Sequence, residues 1–208
     1  MSEFDIDLIK EIYRLRKEER DKHVREPDVY YVTDLVRCPL KREFELRYPE
    51  ISLYEIMSPP TILGEFVHKG LQKLLTEIYG SDVEIEVEGE KKLSLPQGNV
   101  VRVKGRCDAI VKRDNKKIGI EIKSGRSDYG IPLEHHMDQA RIYNWLFDLD
   151  ETYLIYITYE RVAQYKIKDK ISEEELIIRI TSNTYPRYVW ECSYCPFSII
   201  CPYKKISK

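Results

Sequence analysis

The stretch that decides the fold is residues 105–123, GRCDAIVKRDNKKIGIEIK, in which two apolar runs flank Asp114-Asn115. Short runs rich in Ile and Val around such a pair are typical of a β-hairpin. If Asp114 and Asn115 form the whole turn, counting back along both strands places Asp108 opposite Glu121. A three-residue turn would shift the register by one residue and separate the two carboxylates.

This register predicts one apolar face and one charged face. The apolar face collects the cross-strand pairs Val111–Ile118, Ala109–Ile120 and Cys107–Ile122. Lys123, two residues beyond Glu121, points to the same face as the two carboxylates. Opposed carboxylates repel each other, and a hard divalent cation such as Mg²⁺ or Mn²⁺ removes that cost. A lysine beside such a metal can orient water or stabilise charge on a phosphate. The pattern alone also admits a charged hairpin that simply faces solvent.

Two predicted helices carry further candidate residues. His68 follows Gly64 by four residues, so both share a helix face, and His68 is a candidate third metal ligand. Gln139 and Tyr143 share a face of the next predicted helix, where an amide and a phenol can position a phosphate or a base. Each of these residues, taken alone, is equally consistent with ordinary packing.

The cysteines form a second candidate site. Cys192-x-x-Cys195 is followed by Cys201, which is a metal-ligand spacing. Cys38 is the natural fourth ligand, because Cys107 is assigned to the apolar face of the hairpin. Cys38, Cys195 and Cys201 are each followed by Pro, as is seen beside iron–sulfur ligands in some ferredoxins. The chemistry of the residues leaves both zinc and an iron–sulfur cluster open.

Composition limits the function classes. The 208 residues suffice for one sizeable domain, and 34 basic against 36 acidic residues give a net charge of -2. A globally basic nucleic-acid binder is therefore excluded, and any such contact must come from a local patch or a metal. The chain has no long apolar run, and its N-terminus is highly charged. We therefore expect a cytoplasmic protein with reduced thiols.

Periodicity predicts an α/β arrangement, a mixed central sheet flanked by helices. The predicted helices are 3–20, a short one capped by Thr33 and ending near Cys38, 40–47, 61–79, 134–147 and 173–181, the last with a Ser172–Glu175 capping box. The predicted strands are 83–88, 91–95, 100–104, 105–112, 117–123, 152–159 and 162–168. The apolar stripes are Leu8, Ile9, Ile12 and Leu15 on the first helix and Leu63, Val67, Leu71, Leu74, Leu75 and Ile78 on the long one.

The order of these elements resembles the RecB-like branch of the PD-(D/E)xK nucleases, which have a restriction-endonuclease-like core. The matching motifs are Gly64-x-x-x-His68, Gly105-x-x-Asp108, Glu121-x-Lys123 and Gln139-x-x-x-Tyr143. The resemblance implies Mg²⁺ or Mn²⁺ ligands at His68, Asp108, Glu121 and the Ile122 carbonyl. It also implies that Lys123 is the catalytic lysine and that Gln139 and Tyr143 support the site and the DNA.

With the cysteines included, the chain resembles one particular family, the CRISPR-associated exonuclease family Cas four, over about residues 31–203. It implies a 4Fe-4S cluster on Cys38, Cys192, Cys195 and Cys201, which would staple the two ends of the chain together. It also implies an exonuclease on single-stranded DNA or overhanging ends, with endonuclease activity open, that prepares DNA for spacer acquisition beside the CRISPR integrase proteins. No membrane partner is expected, and a homo-oligomer stays open.

On this interpretation residues 1–208 form a single nuclease domain. Its parts are an N-terminal helical region 1–60 with Cys38, a nuclease core 61–170 and a C-terminal cluster-binding segment 185–208. Basic and aromatic residues near the cysteines can grip single-stranded DNA or simply pack around the cluster: Arg187, Tyr188, Trp190, Tyr194, Tyr203, Lys204 and Lys205.

Three other functions fit the same residues. One is a free-standing repair nuclease with the same fold and cluster, and another is a non-catalytic scaffold that binds DNA ends. The third is a zinc-stabilised interaction module. The presence of His68, Asp108, Glu121 and Lys123 together argues against the scaffold, which need not keep all four.

Overall fold

The predicted hairpin is the centre of the fold. The computed structural model describes residues 6–22 and 25–206, so the first three residues of the predicted N-terminal helix lie outside the described part. Arg113 pairs with Lys116 and Ala109 with Ile120, which confirms the two-residue turn and the predicted register. Asp114 and Asn115 have φ of 51° and 60°, the left-handed values that a tight hairpin turn requires.

Strands in the described residues form one six-stranded mixed sheet. They are β1 Val29–Tyr31, β2 Val83–Ser94, β3 Val100–Arg113, β4 Lys116–Gly125, β5 Glu151–Thr158 and β6 Val162–Ile167. β3 pairs with β2 along one edge, and with β1 and then β4 along the other. β4 and β5 are parallel, because α6 crosses between them, and antiparallel β6 closes the far edge. The strands predicted at 83–88 and 91–95 form one strand, as do 100–104 and 105–112.

The helices agree closely with the predicted ranges. They are α1 Leu8–Asp21, α2 Val32–Leu35, α3 Pro39–Arg47, α4 Leu53–Ile56, α5 Pro59–Tyr79, α6 Glu134–Leu146, α7 Glu173–Thr181 and α8 Glu191–Tyr194, with short 3₁₀ turns at Gly80–Asp82 and Pro196–Ile199. At α7 the Ser172 side chain accepts from the Glu175 N–H, as a helix cap does. At α2 the cap is Tyr31 instead of Thr33.

The sheet separates two hydrophobic clusters. On one face Ala109, Val111, Ile120 and Ile122 pack against α5. The other cluster joins β3 to α2, α6 and α7, through residues that include Val103, Cys107, Ile110, Ile142, Leu146 and Leu176. β4 alternates cleanly between the two faces, because Ile120 and Ile122 face α5 whereas the Lys123 amine reaches Gln139 of α6.

β2 and β3 change faces at one rung. Cys107 packs in the α6 cluster and Ala109 in the α5 cluster, although an unbroken strand would put both on one face. The pairing of β2 with β3 skips Glu86 and Asp108, and Glu86 has a left-handed φ of 53°. The predicted pairing of Cys107 with Ile122 on one apolar face is therefore wrong, because the chain twists over between Cys107 and Ala109.

The apolar stripes of α1 and α5 are only partly buried. On α5, Val67, Leu71 and Leu75 pack on the sheet, whereas Leu63, Leu74 and Ile78 are exposed. On α1, no residue is buried, and Leu8, Ile9 and Leu15 are exposed. Helical spacing identified these helices but overestimated the width of their buried faces. Within the described residues, the helices are too short or too polar to cross a membrane.

Candidate active site

Asp108 lies at the rung where the strands change faces, and its carboxylate bridges two elements. Oδ2 accepts a hydrogen bond from the backbone N–H of Ile122 at 2.7 Å, and Oδ1 lies 3.1 Å from Nδ1 of His68 on α5. Glu121, next to Ile122 on β4, is 3% exposed. The structure therefore places His68, Asp108 and the backbone of Ile122 in direct contact, with Glu121 preceding Ile122 on β4.

Lys123 is held in place by a chain of polar contacts. Its amine donates to Glu121 Oε1 at 2.8 Å and to Gln139 Oε1 at 2.7 Å. The Gln139 amide donates to the Tyr143 hydroxyl at 3.1 Å, and that hydroxyl donates to the Arg106 carbonyl at 2.8 Å. Gln139 and Tyr143 are both buried, so they orient the lysine and are shielded from direct contact with a polymer.

Burial shifts the pKa values of this group. Burial, with the charge of Asp108, raises the pKa of Glu121 to about 7 against the opposing pull of Lys123. Burial also disfavours the charged His68 ring, but the hydrogen bond and charge of Asp108 outweigh it and raise the pKa of His68. Burial raises the pKa of Tyr143 well above its usual value, so the phenol stays protonated.

Glu121 has an acceptor that nothing satisfies. Its Oε2 is buried and has no hydrogen-bond partner among the described residues. An unpaired buried carboxylate oxygen is costly, and a cation is the partner that would compensate it. Carboxylates from Asp108 and Glu121 with the His68 imidazole are a donor set that suits Mn²⁺ or Mg²⁺. The described side chains nevertheless contain no group of three or more His, Cys, Asp or Glu already drawn together as metal ligands.

Glycine lets α5 approach the sheet at the site. A Cβ built on Gly64 would lie 3.1 Å from Oγ of Ser124, the residue that follows Lys123. Even a methyl group at position 64 would be tight against this hydroxyl, so the Ser124 side chain would have to move by a few tenths of an ångström. The spacing of Gly64 and His68 thus has a packing reason of its own.

A polar group that the sequence interpretation missed lies next to the backbone of Asp108. The buried Gln72 amide donates to the Glu86 carboxylate and lies 3.4 Å from the Asp108 carbonyl, and Arg106 pairs with Glu86 at 2.8 Å. Gln72 follows His68 by four residues, so it lies on the same face of α5. That spacing was the signal available in the sequence.

The four predicted cluster cysteines converge from opposite ends of the chain. Cys38 is the residue before α3, and its N–H donates to Glu191 of α8 at 2.7 Å. Burial raises the pKa of Cys38 to about 11, with added contributions from the charges of Glu191 and Cys195. Burial likewise raises the pKa of Cys195, which also feels the charges of Cys201 and Cys192. Phe197 packs against Phe44 and fastens the C-terminal segment to α3.

These contacts form a donor set that suits a thiophilic metal centre. All five cysteines are free, and Cys107 stands apart because its charge partners are Asp108 and Glu121. Mutually repelling thiolates are stabilised by a shared metal centre, as in zinc and iron–sulfur sites. Zinc and iron both accept thiolate ligands, but the described cysteines do not form a group that is placed to hold a metal ion in this structure.

Comparison with known proteins gives the family. No family model matches the chain. The chain is 42% identical over 199 residues to the CRISPR-associated exonuclease Cas4 of Saccharolobus solfataricus, an alignment covering 93% of this chain and 96% of the relative. The chain belongs to the CRISPR-associated exonuclease Cas4 family. This Cas4-family fold also matches the crystal structure of SSO0001 with a TM-score of 0.89 and 40% identity, over 95% of this chain and 97% of that one.

Proposed function

We propose that this Cas4-family chain is a Mg²⁺- or Mn²⁺-dependent deoxyribonuclease with a restriction-endonuclease-like core, acting on single-stranded DNA or overhanging ends. The observation that carries the proposal is the buried, unsatisfied Oε2 of Glu121 beside Asp108 and His68. A buried carboxylate oxygen without a partner destabilises the fold, whereas in a metal-dependent hydrolase this oxygen would bind the metal.

The reaction is hydrolysis of a phosphodiester: the oxygen of water bonds to phosphorus and one ester P–O bond breaks. His68, Asp108, Glu121 and the Ile122 carbonyl would hold the metal, which supplies Lewis-acid stabilisation of the phosphate when bound. The N–H of Ile122 already fixes one oxygen of Asp108, so this carboxylate is oriented before any ligand arrives.

Lys123 contributes a fixed positive charge. Gln139 holds its amine at 2.7 Å, and Tyr143 holds Gln139, so little reorganisation is needed to face a phosphate. A cation in this partly buried place stabilises the charge that develops on the phosphate oxygens in the transition state. Lys123 also donates to Glu121, and a metal bound to that carboxylate would leave the amine available to the substrate.

The cysteines are proposed to carry a 4Fe-4S cluster with a structural role. The support is the convergence of four free thiols, one from before α3 and three from the C-terminal segment. The cluster would join residue 38 to residues 192–201 around a single nuclease domain. Family membership extends the proposal to the preparation of DNA for spacer acquisition beside the CRISPR integrase proteins.

The test is cleavage of end-labelled single- and double-stranded DNA by anaerobically purified protein with Mn²⁺, Mg²⁺ or chelator. We expect metal-dependent cleavage that falls at least about 100-fold in Glu121→Gln, a loss of ~2.7 kcal/mol of transition-state stabilisation. Glu84→Gln is the matched control, because Glu84 lies on β2 with its side chain 53% exposed. Its activity should equal that of the wild type.

Binding of Mn²⁺ gives a second readout that does not depend on turnover. The wild type and Glu84→Gln should melt at a higher temperature with Mn²⁺, whereas Glu121→Gln should respond weakly. A folded wild type that cleaves no DNA with either metal would overturn the proposal. Full cleavage by Glu121→Gln would locate the reaction elsewhere in the molecule.

A further inference from the structure

Three aromatic rings from distant parts of the chain meet beside the candidate active site. His135 lies in the first turn of α6, whereas Tyr188 and Trp190 lie just before α8. The His135 ring is 4.9 Å from Trp190 and 5.8 Å from Tyr188, and the Tyr188 and Trp190 rings are stacked at 5.7 Å with 17° between their planes. We call His135, Tyr188 and Trp190 the ring cluster.

One member of the ring cluster shares a helix face with a residue that contacts Lys123. His135 precedes Gln139 by one helical turn, so both lie on one face of α6, and Gln139 contacts Lys123. The charge of Lys123 reaches the ring: burial first, then Lys123, lowers the pKa of His135 to about 4. The ring is therefore neutral in the working pH range, and all three members are uncharged aromatic surfaces.

The ring cluster is also open to solvent. Trp190 is 45% exposed, and His135 and Tyr188 are half-buried. Tyr188 is held from below, since its N–H donates to Glu191 at 2.9 Å and its hydroxyl lies 3.5 Å from Asp138. Anchored rings with an open face lose little freedom when a flat ligand stacks on them.

We infer that the ring cluster is a stacking platform for an unpaired nucleobase of the DNA strand whose phosphate faces Lys123. This inference rests on the proposed function and adds the recognition of single-stranded substrate. Unpaired bases of any sequence stack on aromatic side chains, whereas paired bases in a duplex do not present their faces. The platform would therefore favour single-stranded DNA or frayed ends without reading their sequence.

Fluorescence provides the direct test. The chain has 2 tryptophans, so Trp145→Phe leaves Trp190 as the single tryptophan, which is excited selectively at the red edge of the absorption band, where its 16 tyrosines do not absorb. Adding oligothymidylate to this variant in chelator, where no cleavage occurs, should quench the emission of Trp190. An oligonucleotide of the same length made of abasic sites should bind without that quenching. Equal emission with both oligonucleotides would overturn the inference.

Affinity provides the second test, on the full-length protein in chelator. Trp190→Ala and His135→Ala should each weaken binding of oligothymidylate by about 5- to 150-fold, the range for loss of one stacked base. Trp190→Phe should stay near the wild type, because it keeps an aromatic face. Tyr194→Ala is the matched control, since Tyr194 is 81% exposed and outside the ring cluster.

The outcomes separate the two levels of the proposal. Unchanged affinity in Trp190→Ala, in a wild type that binds and cleaves single-stranded DNA, would overturn the platform and leave the nuclease intact. A wild type that neither binds nor cleaves DNA would overturn both. Abasic DNA that binds the wild type as tightly as oligothymidylate would also reject stacking.

Discussion

Glu121 is a carboxylate that the fold keeps at a cost. Its neighbours are Asp108, which repels its charge, and Lys123, which attracts it, and burial dominates both. The sequence predicted the pairing of Asp108 with Glu121 because side chains alternate strictly along a strand and the turn has two residues. It could not predict the unsatisfied Oε2, since that depends on how α6 and β5 enclose the site.

The raised pKa of Glu121 makes the metal-free protein sensitive to pH. The pKa of Glu121 rises from an ordinary 4.5 to about 7 in the fold. Protonated Glu121 therefore contributes its full stability below pH 4.5, and this contribution is lost as the pH rises through about 7. Glu121→Gln stays neutral throughout. The free energy of unfolding of Glu121→Gln, relative to that of the wild type, should therefore increase by on the order of 1–3 kcal/mol from about pH 5 to about pH 8.

Urea unfolding in chelator at those two pH values measures the difference. Glu84→Gln should show the same pH dependence as the wild type, because its side chain is 53% exposed. A constant gap between Glu121→Gln and the wild type would mean that Glu121 is already ionised in the metal-free fold.

At the scale of elements, α1 is the most loosely attached helix that the structure describes. None of its residues is buried. Two arginines link it to the rest of the protein: Arg20 donates to the Pro49 carbonyl at 2.8 Å, and Arg16 donates to the Ile56 carbonyl at 2.8 Å and pairs with Glu65 of α5. The sequence predicted the helix from the spacing of its apolar residues, but that spacing does not tell how deeply they are buried. The position of a helix on the protein depends on such polar contacts, which carry no periodic signal.

Removing the contacts of Arg16 should loosen the attachment of α1 to the rest of the protein. We expect Arg16→Ala to speed cleavage of α1 by chymotrypsin about tenfold, which corresponds to ~1.4 kcal/mol of local stability, with little change in global unfolding. Arg14→Ala is the control, because the recorded ion pairs of Arg14 are with Glu11 and Glu18 of the same helix. Equal cleavage rates in the two variants would show that apolar contacts hold α1.

At the scale of the molecule, the cysteines bring sequence-distant segments together. Cys38 and Glu191 are 153 residues apart in sequence and share a hydrogen bond. Cysteine spacing predicts that the four thiols form one ligand set, because ligand sets have recurring spacings, and this stays a prediction. It did not predict Glu191 or the packing of Phe44 on Phe197, which hold the same junction without metal.

Binding of the proposed cluster should require Cys38 as much as it requires the cysteines of the C-terminal segment. Cys38→Ala should lose iron and visible absorbance on anaerobic purification and unfold at a lower temperature than the wild type. Cys107→Ala is the matched control, since its thiol is buried in the sheet and it should keep full iron content. Stoichiometric zinc in a colourless wild type would replace the iron–sulfur assignment.

The change of faces between Cys107 and Ala109 divides the long β2–β3 ribbon into two separate packing problems. On one side of the rung Ala109 and Val111 pack against α5, and on the other side Val103 and Cys107 pack in the cluster with α6. Ile110, on the opposite face from Ala109, also joins the α6 cluster. A substitution at Val103 and one at Val111 fall in different clusters, so their effects on stability should add, and these two parts of the ribbon can be repacked separately in evolution or in redesign.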